Sequence, residues 1–156
     1  MDHLHNIPDD QLVISVDEDG YTNYYHPETR RLHRTNGPAV ISPGGIIETW
    51  YYNGVVHRYD GPANIWYISG KRYEVWRRHG VLHRDDGPAK IHPHSQEWYV
   101  NGMYHRIDGP AVISDTGYMA WWMNDRRYTD NASYQKAAGL SDEQMIMMVL
   151  EYGDVH

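Results

Sequence analysis

Four stretches of the chain place histidine, arginine and a carboxylate or amide at one fixed spacing. They are Leu32-His33-Arg34-Thr35-Asn36-Gly37-Pro38-Ala39, Val56-His57-Arg58-Tyr59-Asp60-Gly61-Pro62-Ala63, Leu82-His83-Arg84-Asp85-Asp86-Gly87-Pro88-Ala89 and Tyr104-His105-Arg106-Ile107-Asp108-Gly109-Pro110-Ala111. Imidazole, guanidinium and carboxylate so close together are the groups of acid–base chemistry and of anion binding. Their recurrence argues for another role, because a catalytic constellation is needed at one place whereas a structural group is needed at every pitch. In the structural reading His packs on Trp, Arg reaches a neighbouring carboxylate or carbonyl, and Asp-Gly-Pro fixes the turn between units.

Other candidates for chemistry are fewer. His92-Pro93-His94, with His79 and His83 near in sequence, could ligate a metal, since alternate strand residues share a face. No thiolate or acidic spacing completes such a site, and a solvated polar turn explains the run as well. No nucleophile elbow, Walker-type phosphate loop or zinc-peptidase helix is present. Neither a catalytic residue nor a metal or cofactor is therefore assigned, and an enzyme is not expected, although a hydrolase without a short motif could still use scattered His and Asp.

Departures from the template carry more information than the template. Lys71-Arg72-Tyr73-Glu74-Val75-Trp76-Arg77-Arg78 replaces the Tyr51-Tyr52 and Tyr99-Val100 found in neighbouring units. If Ser69-Gly70 is a two-residue turn, Tyr67 faces Arg72, and Arg72, Trp76 and Arg78 share one face. Rings beside guanidinium groups are the elements of a nucleotide site, so Tyr67, Arg72, Trp76 and Arg78 are the candidate ligand-binding residues, with Lys71 and Arg77 as rim charges. Against this, the arginines could simply solubilise an aromatic sheet.

The elements that must position these groups follow from the spacing. The template histidines lie 24, 26 and 22 residues apart, room for about two strands and two turns. Trp50-Tyr51-Tyr52-Asn53-Gly54, Trp76-Arg77-Arg78-His79-Gly80, Trp98-Tyr99-Val100-Asn101-Gly102 and a truncated Trp121-Trp122-Met123-Asn124-Asp125 mark hairpins, because Asn-Gly supplies the two positive φ angles of a type I′ turn. Further turns are expected at Ser42-Pro43-Gly44-Gly45, Ser69-Gly70, Ser95-Gln96 and Thr116-Gly117. A two-residue turn sets Tyr51 opposite Val56, pairs Trp50 with His57, Trp98 with His105 and Trp121 with Tyr128, and brings Arg106 across from Glu97 as an ion pair. Leu12-Val13-Ile14-Ser15-Val16 reads as a capping strand. At the other end Asp130 or Asn131 starts a short helix ending at Gly139, and Ser141-Asp142-Glu143-Gln144 is a capping box before a Met-rich helix that covers the last hairpin. The fold class is mainly β, an elongated antiparallel meander of roughly ten short strands with a short helical C-terminal cap. It is read as one domain over 1–156, with an N-terminal cap (1–20), repeats (21–130) and a helical cap (131–156).

Composition narrows the function classes. The 156 residues carry 14 Lys+Arg against 21 Asp+Glu, a net charge of −7, which disfavours binding along extended nucleic acid. No run of about 18 apolar residues and no basic-then-apolar leader occurs, so a cytoplasmic protein without a membrane partner is expected. There is no Cys, and 6 Trp and 14 Tyr stand against no Phe, so nearly every large ring has a polar atom to satisfy.

The His-Arg-x-Asp-Gly-Pro-Ala copies alternating with Trp-Tyr-x-Asn-Gly resemble a variant of the MORN repeat, a β-hairpin module, of a kind associated with tailed phages and large viruses. The resemblance covers about residues 21–130. The first copy departs in its longer turn, Pro27-Glu28-Thr29-Arg30, and in Asn36 for Asp. Built of repeats, with surface to offer and no evident reaction centre, the chain is expected to be a non-catalytic binding protein, and with the resemblance this becomes a phage counter-defence factor that sequesters a nucleotide second messenger or blocks a host defence protein in the host cytosol. The alternative is a structural or assembly module of a virion, or an interaction scaffold; a homo-oligomer is compatible with both.

Overall fold

The structure, a computed structural model, describes residues 7–156. The first six residues of the expected N-terminal cap lie outside the described residues. The chain divides into two compact units, 1–81 and 82–156.

In the first unit the strands are β1 (Val13–Val16), β2 (Thr22–Tyr25), β3 (Val40–Ile41), β4 (Ile47–Thr49), β5 (Tyr51–Tyr52), β6 (Val55–Val56), β7 (Asn64–Ile68), β8 (Lys71–Val75) and β9 (Arg77–Arg78); the division falls within β10 (Val81–Leu82). Six of them form an antiparallel meander, β1-β2-β3-β4-β7-β8. The expected capping strand is β1, and its register sets Val13 opposite Tyr25. Between β4 and β5 the chain leaves this sheet at Trp50 and makes a separate two-stranded hairpin with β6, in which Tyr51 faces Val56 and Tyr52 faces Val55 as expected. Asn53 and Gly54 have φ of 50° and 82°, the left-handed pair that the turn requires.

The second unit continues with β11 (Lys90–His92), β12 (Ser95–Glu97), β13 (Tyr99–Val100), β14 (Met103–Tyr104), β15 (Val112–Ser114), β16 (Met119–Met123) and β17 (Arg126–Tyr128), followed by α1 (Asn131–Ala138) and α2 (Asp142–Tyr152). Its meander runs β11-β12-β15-β16-β17, with β13–β14 as the separate hairpin. Strands outnumber the roughly ten expected because the hairpin arms are cut at Trp50, Trp76 and Trp98, though not at Trp121, which lies inside β16. At the cuts the backbone changes partner: Trp50 N–H donates to Ala63 and Trp98 N–H to Ala111, both at 2.8 Å. One expected turn is corrected. Ser95 and Gln96 are strand, and the turn is Pro93-His94, with His92 opposite Ser95; the fixed φ of proline suits the corner and its missing N–H is no loss there.

The first helix starts and stops, and the second starts, where the capping signals place them. Asp130 accepts from Ser133 N–H, Gly139 closes α1 at φ 68°, and Ser141 and Gln144 form the reciprocal capping box of α2. Met145 and Met148 then pack with Trp121, Met123, Tyr128, Tyr134 and Val155 as a closed apolar cluster over the last hairpin. The Tyr134 hydroxyl, buried there, donates to the carbonyls of Arg106 (2.7 Å) and Gly109 (3.0 Å). Among the described residues no helix is long and apolar enough to cross a membrane.

Candidate functional site

Each template residue has a mechanical task. The Nδ1 atoms of His33, His57 and His83 accept the backbone N–H of the first turn residue of the next hairpin, Asn53, His79 and Asn101, at 3.2, 2.9 and 3.1 Å. The second turn residues, Gly54, Gly80 and Gly102, donate to the carbonyls of Leu32, Val56 and Leu82. Successive hairpins are thereby clasped at two atoms each. In the last copy the clasp is altered: His105 Nδ1 lies 2.9 Å from the side-chain amide of Asn124, and Asp125 N–H takes the Tyr104 carbonyl.

The arginines hold the loops. Arg58, Arg84 and Arg106 donate through Nε to Asp60, Asp86 and Asp108 at 2.8–3.0 Å and through Nη1 to the Pro62, Pro88 and Pro110 carbonyls. In the first copy, where Asn36 replaces the acid, Asp9 supplies it instead, at 2.9 Å from Arg34 Nε and 2.6 Å from Nη2. A Cβ at Gly61 would stand 2.6 Å from the Arg58 Cζ, so close packing of guanidinium on backbone explains glycine there. The Ala residues that end the four copies are fully buried.

Two sequence expectations are corrected by these contacts. Trp50 and Trp98 are joined across the hairpin to His57 and His105 by backbone hydrogen bonds of 3.0 and 3.2 Å as expected, but their rings carry the guanidinium of Arg58 and Arg106, at 4.2 and 4.1 Å, rather than the imidazoles. The strand break at each Trp, together with capture of His57 Nδ1 by the next turn, swings that imidazole toward the following hairpin. Arg106 does not pair with Glu97. Glu97 accepts instead from Lys90 (3.3 Å) and from the Tyr99 and Tyr104 hydroxyls (2.8 Å each). Burial raises the Glu97 pKa, but these hydrogen bonds outweigh it and hold the carboxyl below its usual range.

Within the first unit lies an open cleft of about 770 Å³, a size that takes small organic ligands. Its walls are the template loops of two successive copies, with Arg34, Trp50, Tyr52, Arg58 and Asp60 among them, and two residues at positions where the copies differ. Tyr59 occupies the position held by Thr35, Asp85 and Ile107 elsewhere, and His79 the turn position held by Asn53, Asn101 and Asn124. They meet: the Tyr59 hydroxyl is 3.2 Å from His79 Nε2. His79 stacks on His57 with ring centroids 4.4 Å apart and planes 26° from parallel, while Tyr59 stands edge-on to His57, also at 4.4 Å. The His79 backbone tolerates φ 49°, a conformation in which His, Asn and Asp are several-fold enriched among side-chain-bearing residues.

The electrostatics keep His57 neutral. Its burial, the adjacent His79 and the Arg78 guanidinium all lower its pKa, and Nδ1 is already an acceptor, so the ring proton sits on Nε2. Asp60 is held below the usual carboxylate range chiefly by its hydrogen bond from Arg58. The cleft thus presents aromatic and imidazole faces, two guanidinium groups and an ionised carboxylate, a set suited to stacking a planar ring and bonding its polar edge.

The four residues singled out from sequence are placed as follows. Tyr67 and Arg72 are cross-strand partners as expected. Arg72 forms an ion pair with Glu74, and the Trp76 indole N–H donates to the same carboxylate at 3.4 Å. β8 ends at Val75, so Arg78 does not continue that row; its guanidinium stands 5.8 Å from the Tyr59 ring centroid. Arg72 and Trp76 thus meet at Glu74, with Tyr67 across from Arg72, while Arg78 stands near Tyr59 without lining the cleft. Arg77, an expected rim charge, donates to the Gly80 carbonyl at 2.8 Å. Sequence reasoning does not single out Tyr59 and weighs His79 only as a metal candidate. Departure from the template, the signal applied to residues 71–78, also marks His79 at the turn position, but no such signal marks Tyr59, whose position differs in all four copies. For the metal reading, His94 bonds Asp115 at 2.5 Å, and no cluster of three potential ligands occurs among the described residues.

Comparison with protein-family models, with curated proteins and with solved structures finds no match.

Proposed function

We propose that the chain is a non-catalytic binding protein whose ligand, a planar heteroaromatic compound of the nucleotide class, occupies the cleft of the first unit. One observation carries this reading: Tyr59, at the variable position of its copy, and the off-template His79 are brought into hydrogen-bond contact on the cleft wall, beside the stacked His57 ring. The hairpin clasp does not require the His79 side chain, since the Asn53 N–H makes the same bond to His33 in the preceding copy. In the proposed complex the base stacks on these rings, Asp60 accepts from an amino or hydroxyl group, and Arg58 Nη2, the guanidinium nitrogen that neither Asp60 nor the Pro62 carbonyl engages, bonds a phosphate. Together with the resemblance to MORN-type repeats, this reading extends to a phage factor that withdraws a nucleotide signal from a host defence system.

The test restores the template. His79→Asn and Tyr59→Thr install the residues found at those positions in the first copy, so both variants keep the fold. In a thermal-shift screen against cyclic di- and trinucleotides and ADP-ribose derivatives, a nucleotide that binds raises the melting temperature of the wild type by linkage and leaves both variants unshifted. A shift of equal size in all three proteins moves the site elsewhere. No shift with any nucleotide rejects the ligand class.

A further inference from the structure

The second unit carries a feature that the cleft does not explain. Met145 to Leu150 are six consecutive apolar residues on α2, and one helical face cannot bury them all. Met145 and Met148 take the core side, whereas Ile146, Met147 and Leu150 are 59%, 66% and 75% exposed. They form a contiguous ridge, since Ile146 and Leu150 are one turn apart. Shallow grooves of about 360 and 520 Å³ flank it.

The charge around this ridge has one sign. Glu143, Met147 and Glu151 stand at successive helical turns, so the exposed Met lies between two carboxylates. The 360 Å³ groove is lined by Glu143, Glu151 and Asp108, with no basic side chain, and the other groove by Asp142, again with none. Over residues 129–156 five acidic side chains face a single Lys, Lys136 on α1. A second copy of the chain fits this surface poorly, because a two-fold interface would bring Glu143 and Glu151 against their own counterparts.

We propose that the exposed face of α2 docks a partner protein through a basic amphipathic segment, its apolar side on the Ile146–Met147–Leu150 ridge and its Lys or Arg side chains on Glu143 and Glu151. Flexible, polarisable methionine suits such a face, since it fits apolar partners of varied shape. The acidic rim supplies orientation and a faster encounter with basic partners.

The probe is a fluorescently labelled synthetic helix with one leucine face and one lysine face, titrated against the full chain by anisotropy. A matched peptide with glutamate in place of lysine is the control. The lysine peptide should bind at least tenfold more tightly than the glutamate peptide, and the difference should shrink with added salt. Leu150→Asp and, separately, Glu143→Lys/Glu151→Lys alter exposed side chains and leave the circular dichroism spectrum unchanged; each should weaken the lysine peptide about tenfold or more. Equal binding of both peptides, or variants that bind like the wild type, overturns the proposal. So does a concentration-dependent dimer in analytical ultracentrifugation that Leu150→Asp abolishes, or co-sedimentation with phosphatidylcholine vesicles that the same change abolishes. These outcomes are independent of the cleft, because His79→Asn should leave peptide binding intact.

Discussion

Replacing His57 with leucine separates the mechanical role of the template imidazole from its volume. Leucine keeps an apolar side chain of similar bulk at a site only 8% exposed, but it removes the acceptor of the His79 N–H at 2.9 Å and the ring contacts to His79 and Tyr59 at 4.4 Å. An N–H left without its partner costs about 1–3 kcal/mol when buried, and this one is only partly so; a lost ring pair adds about 0.5–1.5 kcal/mol. The variant should therefore be less stable by about 1–3 kcal/mol at pH 7.5, measured by urea unfolding followed through tryptophan fluorescence. The gap should depend on pH. Burial, His79 and Arg78 depress the folded-state pKa of His57, so the unfolded chain binds its proton first as pH falls. The contribution of His57 is complete above its unfolded value of about 6.5 and is lost between there and the folded value, with a slope of at most about 1.4 kcal/mol per pH unit. Leucine does not titrate. Wild type and variant should converge as the pH drops from 7.5 to 5. A gap that stays constant or widens in acid would refute the neutral-acceptor role.

Four further outcomes follow from the contacts. Gly61→Ala should destabilise by about 1–2 kcal/mol in the same assay, since the new methyl displaces Arg58 from Trp50 and Asp60. Tyr134→Phe should cost about 1–3 kcal/mol by stripping the Arg106 and Gly109 carbonyls of their shared donor, and loss of the helical circular dichroism signal at lower temperature is the readout. Ser141→Ala should lower stability by about 1 kcal/mol through loss of the capping box, whereas Arg72→Ala, at a half-exposed ion pair, should change it by less than about 0.5 kcal/mol.

Much of the local structure was legible in the sequence because it depends on neighbouring residues. The Asn53-Gly54 turn and its register, the Asp130 cap, the Gly139 stop and the Ser141–Gln144 box all follow from backbone chemistry within a few positions. What depended on the next copy was not. Nothing near His57 announces that its Nδ1 will be taken by an N–H 22 residues on, and the choice of Arg58 rather than His57 as the ring partner of Trp50 follows from that capture. Asp9 standing in for the acid missing at Asn36 is likewise invisible from a 25-residue separation. Of the candidate residues, Arg78 stands 5.8 Å from the ring centroid of Tyr59, a cleft residue, without itself lining the cleft. The face drawn through Arg72 and Trp76 overlooked Glu74, whose position at i+2 from Arg72 and i−2 from Trp76 puts its carboxylate between them.

Isothermal titration of the wild type and of His79→Asn, with the nucleotide that gives the largest thermal shift, tests most directly whether off-template residues make the site. The wild type should show a saturable heat of binding, and His79→Asn a loss of about tenfold or more in affinity with an unchanged circular dichroism spectrum, about 1.4 kcal/mol for the stacking and hydrogen-bonding partner removed. Indistinguishable affinities in the two proteins, or no binding heat in the wild type, would contradict it.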